Sequence, residues 1–304
     1  MRNVRLAMGS AIAFFFVNFM GFLDTFTVST QGCGQDYPFC NGKLYPDFNN
    51  YHSVIEYVHR LVVLIGMSLL VIVSVMAWRR YKTKKVKALI LFAIGGVVAE
   101  ATLGALAVFF NSPPLIMAGH IGIALISFAA LLNLAYTIRE AELKPLGKPM
   151  SKGFVRYAWF LLVYLYVAIY FGAYVASTGA GGMFQGALIP TEPASTPLHT
   201  LWIDLGHRGL ALGLVLLSFG FMMLARKHQH FVGISIAMFV LVLLQGVSGV
   251  LLVVTHLHLA AILFHVTDVS LLFGLVSLVG VQSVGRREKS AVGSAPLEPA
   301  FPRR

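Results

Sequence analysis

Eight apolar runs, each of roughly twenty residues or more, constrain the fold of this chain more than any other feature of its sequence. Each run is long enough to cross the hydrocarbon core of a bilayer, which takes about 20 residues. Lipid tolerates only helices or closed barrels, and these runs lack the alternation of barrel strands, so a helical bundle is predicted. The predicted spans are residues 6–28, 53–78, 86–110, 115–138, 154–176, 200–225, 231–254 and 259–283.

The composition also indicates an all-α integral membrane protein. Hydrophobic residues make up 58% of the 304 positions and charged residues only 12%, whereas soluble domains contain about 25% charged residues. The formal net charge of +11 comes mostly from short segments between the apolar runs. There, lysine and arginine set the topology or contact lipid headgroups. The lipid bilayer is therefore the expected partner of this surface, and no nucleic-acid partner is expected.

The positive charge predicts the orientation in the membrane. Of the 23 lysines and arginines, 20 lie before the first span, after the last span, or in alternate connections together with the first three residues of the span that follows. The positive-inside rule therefore places both termini in the cytoplasm. The first apolar run follows two arginines as in a signal peptide, but no clear cleavage site closes it, so we expect it to be retained. The segments expected outside are 29–52, 111–114, 177–199 and 255–258.

An internal repeat divides the eight spans into two sets of four. The segment from Glu56 to Arg60 (EYVHR) recurs as Asp204 to Arg208 (DLGHR), and His120 recurs as His265. Because each set has an even number of spans, both sets have the same orientation, as in a parallel 4+4 repeat. We therefore predict two pseudo-symmetric four-helix halves, residues 1–140 and 154–285, with a cytoplasmic linker at 141–153 and a disordered cytoplasmic tail at 286–304.

The repeat contains four intramembrane histidines. His59 and His120 lie on the second and fourth spans, and His207 and His265 lie on the sixth and eighth. Each is about six or seven residues from the outer end of its span, or roughly 10 Å at 1.5 Å per residue. Two such residues facing each other between helices could ligate the iron of a haem from both sides. For a single histidine, a hydrogen-bonded core residue is the alternative.

Charged residues accompany these histidines. The acid and the arginine of each repeated segment are four residues apart, so they can pair along the helix, while a haem propionate is the competing partner of each arginine. These arginines are Arg60 and Arg208. Glu56 shares a helical face with His59 and is the candidate catalytic group. Glu100, in the third span, is either a proton relay or a hydrogen-bonded structural acid.

The only two cysteines, Cys33 and Cys40, lie in the predicted outer segment before the second span. Neither belongs to a Cys-x-x-Cys-His sequence, so covalent haem attachment is not indicated. On the oxidising side of a membrane a disulfide is the expected state. It is either a structural link that closes a short loop or an exchangeable redox group.

In combination, these features resemble the haem A synthase family over nearly all of residues 1–285. The family resemblance implies an oxidoreductase of the cell membrane, bacterial and multi-pass. Such an enzyme converts the C8 methyl group of haem O into the formyl group of haem A through a hydroxymethyl intermediate, for terminal oxidase assembly. The segments that carry the resemblance are Gln31 to Gly34, Pro38 to Cys40, Glu56 to Arg60, Gly104 to Leu106, Gly206 to Arg208, and Gly246 to Gly249.

The resemblance also implies a set of ligands and partners. Haem O is the implied substrate and haem b the implied cofactor. Haem O synthase (protohaem farnesyltransferase) and an unidentified electron acceptor are the implied partners. The substrate haem would be bound by His59, His120 and Arg60, and haem b by His207, His265 and Arg208.

Two other classes of function compete with the synthase. A bis-histidine b-type cytochrome that only transfers electrons would explain the histidines, but not Glu56 or the presence of cysteines in one half alone. A haem or solute transporter built from parallel repeats is the third class. Broken half-helices near the membrane midplane are typical of transporters, and the sequence lacks their Gly and Pro pattern.

Overall fold

The computed structural model describes residues 2–34, 39–109, 114–143, 149–182 and 198–293. Among these residues, eight α-helices are long and apolar enough to cross a membrane, which confirms the predicted all-helical, eight-span fold. A short 3-10 helix, Ala180–Gly182, follows the fifth. The helices are α1 (Arg2–Phe26), α2 (Tyr51–Arg80), α3 (Lys84–Phe109), α4 (Pro114–Leu143), α5 (Lys152–Thr178), α6 (Leu198–His228), α7 (Val232–Val254) and α8 (Leu259–Gly293).

Local signals in the sequence explain several helix ends. The side chain of Asn50 accepts a hydrogen bond from the backbone N–H of His52 and so caps the start of α2. Ser151 caps α5 in the same way through the N–H of Phe154. These side-chain oxygens satisfy amides that have no partner within the helix. Gly179 ends α5 in the left-handed region, with φ of 71°, which costs a glycine little.

The helices extend beyond the apolar runs at most ends, because flanking polar residues continue the helical hydrogen bonding. Helix α1 ends earlier, at Phe26, so Val28 lies outside the helix although the predicted first span includes it. Helix α7 begins at Val232, one residue after its predicted start. Helix α4 continues to Leu143 and α8 to Gly293. Residues 144–148 of the predicted linker, 141–153, and residues 294–304 of the predicted tail, 286–304, lie outside the described part of the chain.

The apolar core forms two clusters, one for each set of four helices. The first cluster buries Phe14 and Leu134 among α1 to α4. The second buries Leu161 and Phe221 among α5 to α8, and Leu125 of α4 packs against it. Helix α4 contacts α5 and α8, and α1 contacts α8, so these helices form the interface between the halves. The pseudo-symmetry that relates the two halves stays a prediction, as does their orientation in the membrane.

A buried polar network links α3, α4 and α8. The amide oxygen of Gln282 accepts a hydrogen bond from Nζ of Lys85 at 2.6 Å, and its amide nitrogen donates to Oδ1 of Asn133 at 3.2 Å. Asn133 in turn donates to the hydroxyl of Ser277 at 3.1 Å. Hydrogen bonds between membrane helices contribute about 0.6 to 2 kcal/mol each. The network therefore helps to hold α4 of the first half against α8 of the second.

Candidate haem-binding sites

The structure brings the four predicted histidines together in two pairs. They lie six to nine residues after the first residue of α2, α4, α6 and α8, or about 9 to 14 Å at 1.5 Å per residue. All four are therefore at the end of the bundle where these helices begin. His120 is close enough to His59 for a charge on one ring to affect the other, and the same holds for His265 and His207. Each pair joins the second and fourth helices of its half.

Each histidine ring faces a glycine of the preceding helix. The contacts are Gly21 with His59, Gly104 with His120, Gly172 with His207, and Gly249 with His265. A Cβ atom at Gly172 would lie 2.7 Å from Cε1 of His207, and one at Gly104 would lie 3.2 Å from Cε1 of His120. The first of these distances is incompatible with the observed ring position. Gly172, and less strictly Gly104, thus make room for the rings themselves, whereas at Gly21 and Gly249 the nearest ring atoms, 3.4 and 3.7 Å away, would be in ordinary contact with a Cβ.

In the first half, hydrogen bonds fix which ring nitrogen is available. Nδ1 of His59 lies 3.4 Å from Oδ2 of the buried Asp24, and Nδ1 of His120 lies 3.1 Å from the carbonyl oxygen of Glu100. Both oxygens are acceptors, so each Nδ1 carries the proton and donates it. Nε2 of each ring is then left with a free lone pair. An oxygen acceptor behind a metal-binding histidine orients the ring and raises its basicity.

In the second half, His265 is held on both sides. The hydroxyl of the fully buried Ser248 donates to the carbonyl oxygen of Gln245 at 2.9 Å, so its oxygen accepts from Nδ1 of His265 at 2.8 Å. The amide nitrogen of Gln245 lies 2.9 Å from Nε2 of His265 and donates to its lone pair. That lone pair is the one a metal would use. Ligation of iron by His265 therefore requires Gln245 to release this hydrogen bond.

His207 differs from the other three histidines. Its Nδ1 is buried and has no hydrogen-bond partner among the residues that the structure describes. On the same helix, Nε of Arg208 pairs with Oδ2 of Asp204 at 2.5 Å. The predicted pairing of acid and arginine along the helix is thus observed in this half. The two halves provide different hydrogen bonds to otherwise corresponding histidines.

Glu56 is buried, with 6% of its surface exposed, and both of its carboxylate oxygens accept hydrogen bonds. One accepts from the backbone N–H of Cys33 at 2.7 Å, and the other accepts from Arg60 at 2.5 Å. Arg60 also donates to the carbonyl oxygens of Phe39 at 2.7 Å and Gly34 at 3.0 Å. Glu56 and Arg60 therefore connect the start of α2 to the loop that contains Cys33 and Phe39. Sequence spacing alone does not predict this connection.

Cys33 and Cys40 form a disulfide in this loop. Both residues are buried, and the hydroxyl of Ser53 lies 3.1 Å from the sulfur of Cys40. The same hydroxyl accepts a hydrogen bond from the backbone N–H of Asp47 at 3.1 Å. Burial restricts the access of an attacking thiolate. Of the two predicted roles of the disulfide, the structure favours a link that holds the loop over the first turns of α2.

The donor set fits haem better than a metal ion held by the protein alone. Among the described residues, no group of three or more His, Cys, Asp or Glu side chains could hold a metal ion. Each half provides two histidines, as the axial ligation of a haem iron requires. In three of the four, Nε2 is the unprotonated nitrogen and so can bind iron. When bound, such a group supplies redox chemistry at its iron.

Sequence reasoning missed several residues of these sites, among them Asp24, Ser248, Gly21 and Gly172. Asp24 is the only acid in the first span, and that position was the available signal. Ser248 lies inside the segment from Gly246 to Gly249, which is singled out for its glycines. The spacing of the sequence does not indicate that the hydroxyl of Ser248 contacts His265. Glu100 carries a side chain predicted as a relay or a structural acid, but it contributes to the described site through its backbone carbonyl.

Comparison with known proteins identifies the family. The sequence model of the COX15-CtaA family, described as "Cytochrome oxidase assembly protein", matches residues 5–277. The "Heme A synthase" of Bacillus pumilus is 35% identical over 272 residues, which cover 84% of this chain and 87% of the relative. That of Bacillus licheniformis is 33% identical and covers 89% and 92%, and that of Bacillus cereus is 32% identical and covers 96% of each. The chain therefore belongs to the COX15-CtaA family of cytochrome oxidase assembly proteins.

Proposed function

We propose that this protein is a haem A synthase, an oxidoreductase that converts the C8 methyl group of haem O into the formyl group of haem A through a hydroxymethyl intermediate. The observation that carries the proposal is the presence of two histidine pairs at one end of a membrane bundle, in a chain whose relatives are named for this activity. The product would serve the assembly of a terminal oxidase, in agreement with the family description.

We assign the two halves different tasks. In the first half, residues 1–140, His59 and His120 hold the iron of haem O. In the second half, residues 154–285, His207 and His265 hold a permanent haem b. The two sites are not equivalent, since Asp24 places a carboxylate behind His59 whereas Nδ1 of His207 has no partner among the described residues. The disulfide and the buried Glu56 lie beside the first-half site, and this favours the first half as the place of the reaction.

The arginines are assigned to the haem propionates, alongside the acids with which they pair. Arg60 would serve the substrate haem and Arg208 the haem b. The side chain of Arg208 is the more exposed of the two, at 34%, and this favours its contact with a propionate at the edge of the haem. Arg60 is 16% exposed and also holds two loop carbonyls. We therefore expect Arg60 to contribute to haem binding mainly through the loop that it fixes.

Glu56 is assigned the catalytic role. It lies on α2 one turn before His59, toward the cysteine loop, and its carboxylate is fixed by the hydrogen bonds from Cys33 and Arg60. Oxidation of the methyl group passes through electron-poor carbon. A fixed negative charge in a site of low dielectric stabilises positive charge that develops there. Glu56 therefore acts by electrostatic stabilisation.

The reaction needs partners outside the chain. Conversion of the methyl group to a formyl group inserts an oxygen atom, which water can supply, and releases electrons and protons. An electron acceptor is therefore required. Haem O synthase (protohaem farnesyltransferase) is the expected supplier of the substrate. The protein is assigned to a bacterial cell membrane, with both termini in the cytoplasm and the haem sites toward the outer face. The distribution of lysine and arginine supports this orientation.

Pigment analysis in cells tests the proposal. The chain is expressed in a bacterium that makes haem O but no haem A, and the haems of the membrane fraction are extracted and separated. We expect haem A, with some hydroxymethyl haem, in cells that express the chain and not in cells with an empty vector. Haem O and haem b alone, in a membrane that contains the folded protein, would support an electron-transfer cytochrome instead.

A further inference from the structure

An apolar cavity of about 340 Å³ lies where the two halves meet. It is lined by side chains of α1, α4, α7 and α8, among them Phe15, Phe128 and Leu271. Ile12 and Leu271 are 51% and 42% exposed, so the cavity is open to the surrounding lipid on one side. Its lining is nonpolar throughout, and it therefore suits a hydrocarbon chain.

Helix α4 connects this cavity to the first histidine pair. His120, Ala124, Phe128 and Leu132 follow one another at intervals of four residues and so form one stripe along the helix. Phe128 and Leu132 line the cavity. They lie eight and twelve residues from His120, or about 12 and 18 Å at 1.5 Å per residue. A chain attached to a ring at His120 would run along this stripe into the cavity.

Asn18 lies between the histidine and the cavity. Its amide nitrogen donates to the carbonyl oxygen of Ala124 at 3.4 Å, which is one turn from Phe128 on α4, and Asn18 itself is one turn from Phe15 on α1. Asn18 is 5% exposed, and its Oδ1 has no hydrogen-bond partner in the described part of the chain. A buried acceptor without a donor is uncommon and points to a ligand that supplies one.

We infer that the cavity binds the isoprenoid tail of haem O and that Oδ1 of Asn18 accepts the hydroxyl group of that tail. This inference rests on the proposed function, because haem O differs from protohaem by a farnesyl-derived tail with a hydroxyl on the carbon next to the ring. The order of groups in the substrate is ring, hydroxyl and hydrocarbon chain. The order in the protein is His120, Asn18 and the cavity.

Asn18 is essential to this selectivity. Lipid acyl chains are also apolar, so the cavity alone should not bind an isoprenoid chain much more strongly than it binds an acyl chain of the bilayer. A hydrogen bond inside the membrane does distinguish the two, since an acyl chain offers Asn18 no donor. The cavity and Asn18 together would thus select haem O over protohaem at the first histidine pair.

An exchange experiment on the purified full-length protein tests this inference. The protein is first saturated with protohaem, haem O is then added in increasing amounts, and the bound haems are extracted and quantified. The variants are Leu271→Trp, which fills the cavity, and Asn18→Ala, which removes the acceptor. Leu216→Trp is the matched control, because Leu216 is a 66% exposed residue of α6 outside the cavity. The visible spectrum and thermal stability of each variant report on its fold.

We expect haem O to displace protohaem from one of the two sites of the unmodified protein and of Leu216→Trp. Leu271→Trp and Asn18→Ala should each need about tenfold more haem O for the same exchange, as expected for one lost hydrogen bond or a blocked chain. Exchange by both variants at the unmodified level, while the unmodified protein still forms haem A, would overturn the inference and leave a cavity filled by lipid only. Failure of the unmodified protein to form haem A would instead overturn the proposed function.

Discussion

The hydroxyl oxygen of Ser248 lies 2.8 Å from Nδ1 of His265 and accepts its proton, because the hydroxyl hydrogen is donated to the carbonyl of Gln245. This contact holds the ring in one tautomer, with the lone pair on Nε2. His265 therefore needs no change of tautomer to bind iron.

The variant Ser248→Ala should weaken haem b binding by about 10- to 100-fold, as is usual when the hydrogen-bond partner of a metal ligand is removed. The spectrum of the bound haem should stay that of bis-histidine ligation. A haem titration followed in the visible spectrum measures this. Ser270→Ala is the control, because Ser270 is also buried but bonds only within its own helix. Equal haem affinity in the two serine variants would refute the role of Ser248. A further variant, His265→Ala, tests the ligand itself, and an unchanged spectrum at full haem occupancy would refute His265 as a ligand.

Replacement of Glu56 by Gln should leave both haems bound and lower haem A formation by about 100-fold, the size of effect seen when one electrostatic contact to a transition state is lost. Gln keeps an oxygen that can accept from Cys33, so the loop should stay in place. Extraction and separation of the haems measure the product mixture, and the hydroxymethyl haem is the expected stopping point.

The matched control for this change is Asp204→Asn, which removes the corresponding charge from the second half. It should retain most of the haem A formation. If Glu56→Gln formed haem A at a near-normal rate, Glu56 would be assigned only to holding Arg60 and the loop.

Removal of the disulfide by the double change Cys33→Ser and Cys40→Ser should reduce activity only in part. A loop this short contributes about 2 kcal/mol through loop closure. The hydrogen bonds from Arg60 to Phe39 and Gly34 should still hold the loop. The checks are haem A formation and thermal stability. Complete loss of activity in a folded, fully loaded protein would show that the cysteines act as a redox pair.

Gly172→Ala should lower the occupancy of haem b several-fold, since the added Cβ would lie 2.7 Å from Cε1 of His207 and the ring would have to move. Gly246→Ala, in the same half, introduces a Cβ with no atom within 4 Å and should bind haem normally. The haem content per protein, measured after purification, distinguishes them. Normal occupancy in Gly172→Ala would mean that His207 is not constrained by α5.

Much of the fold could be predicted from the sequence, because spans in lipid require long apolar helices and the repeat locates two histidines in each set of four. The pairs His59 with His120 and His207 with His265 follow from that pattern. The contact between Glu56 and Cys33 does not, because it depends on how the loop folds back onto α2. The roles of Asp24 and Ser248 depend in the same way on the rotation of neighbouring helices, which sequence periodicity leaves undetermined.

The conversion of haem O can be measured directly on the purified protein. The protein is incubated with haem O and an electron acceptor, and the haems are then extracted and analysed by mass. If the protein is a haem A synthase, haem O should be lost and haem A formed, with haem b unchanged in amount. Recovery of all haem O unchanged, from a protein that binds both haems through histidine pairs, would contradict this function.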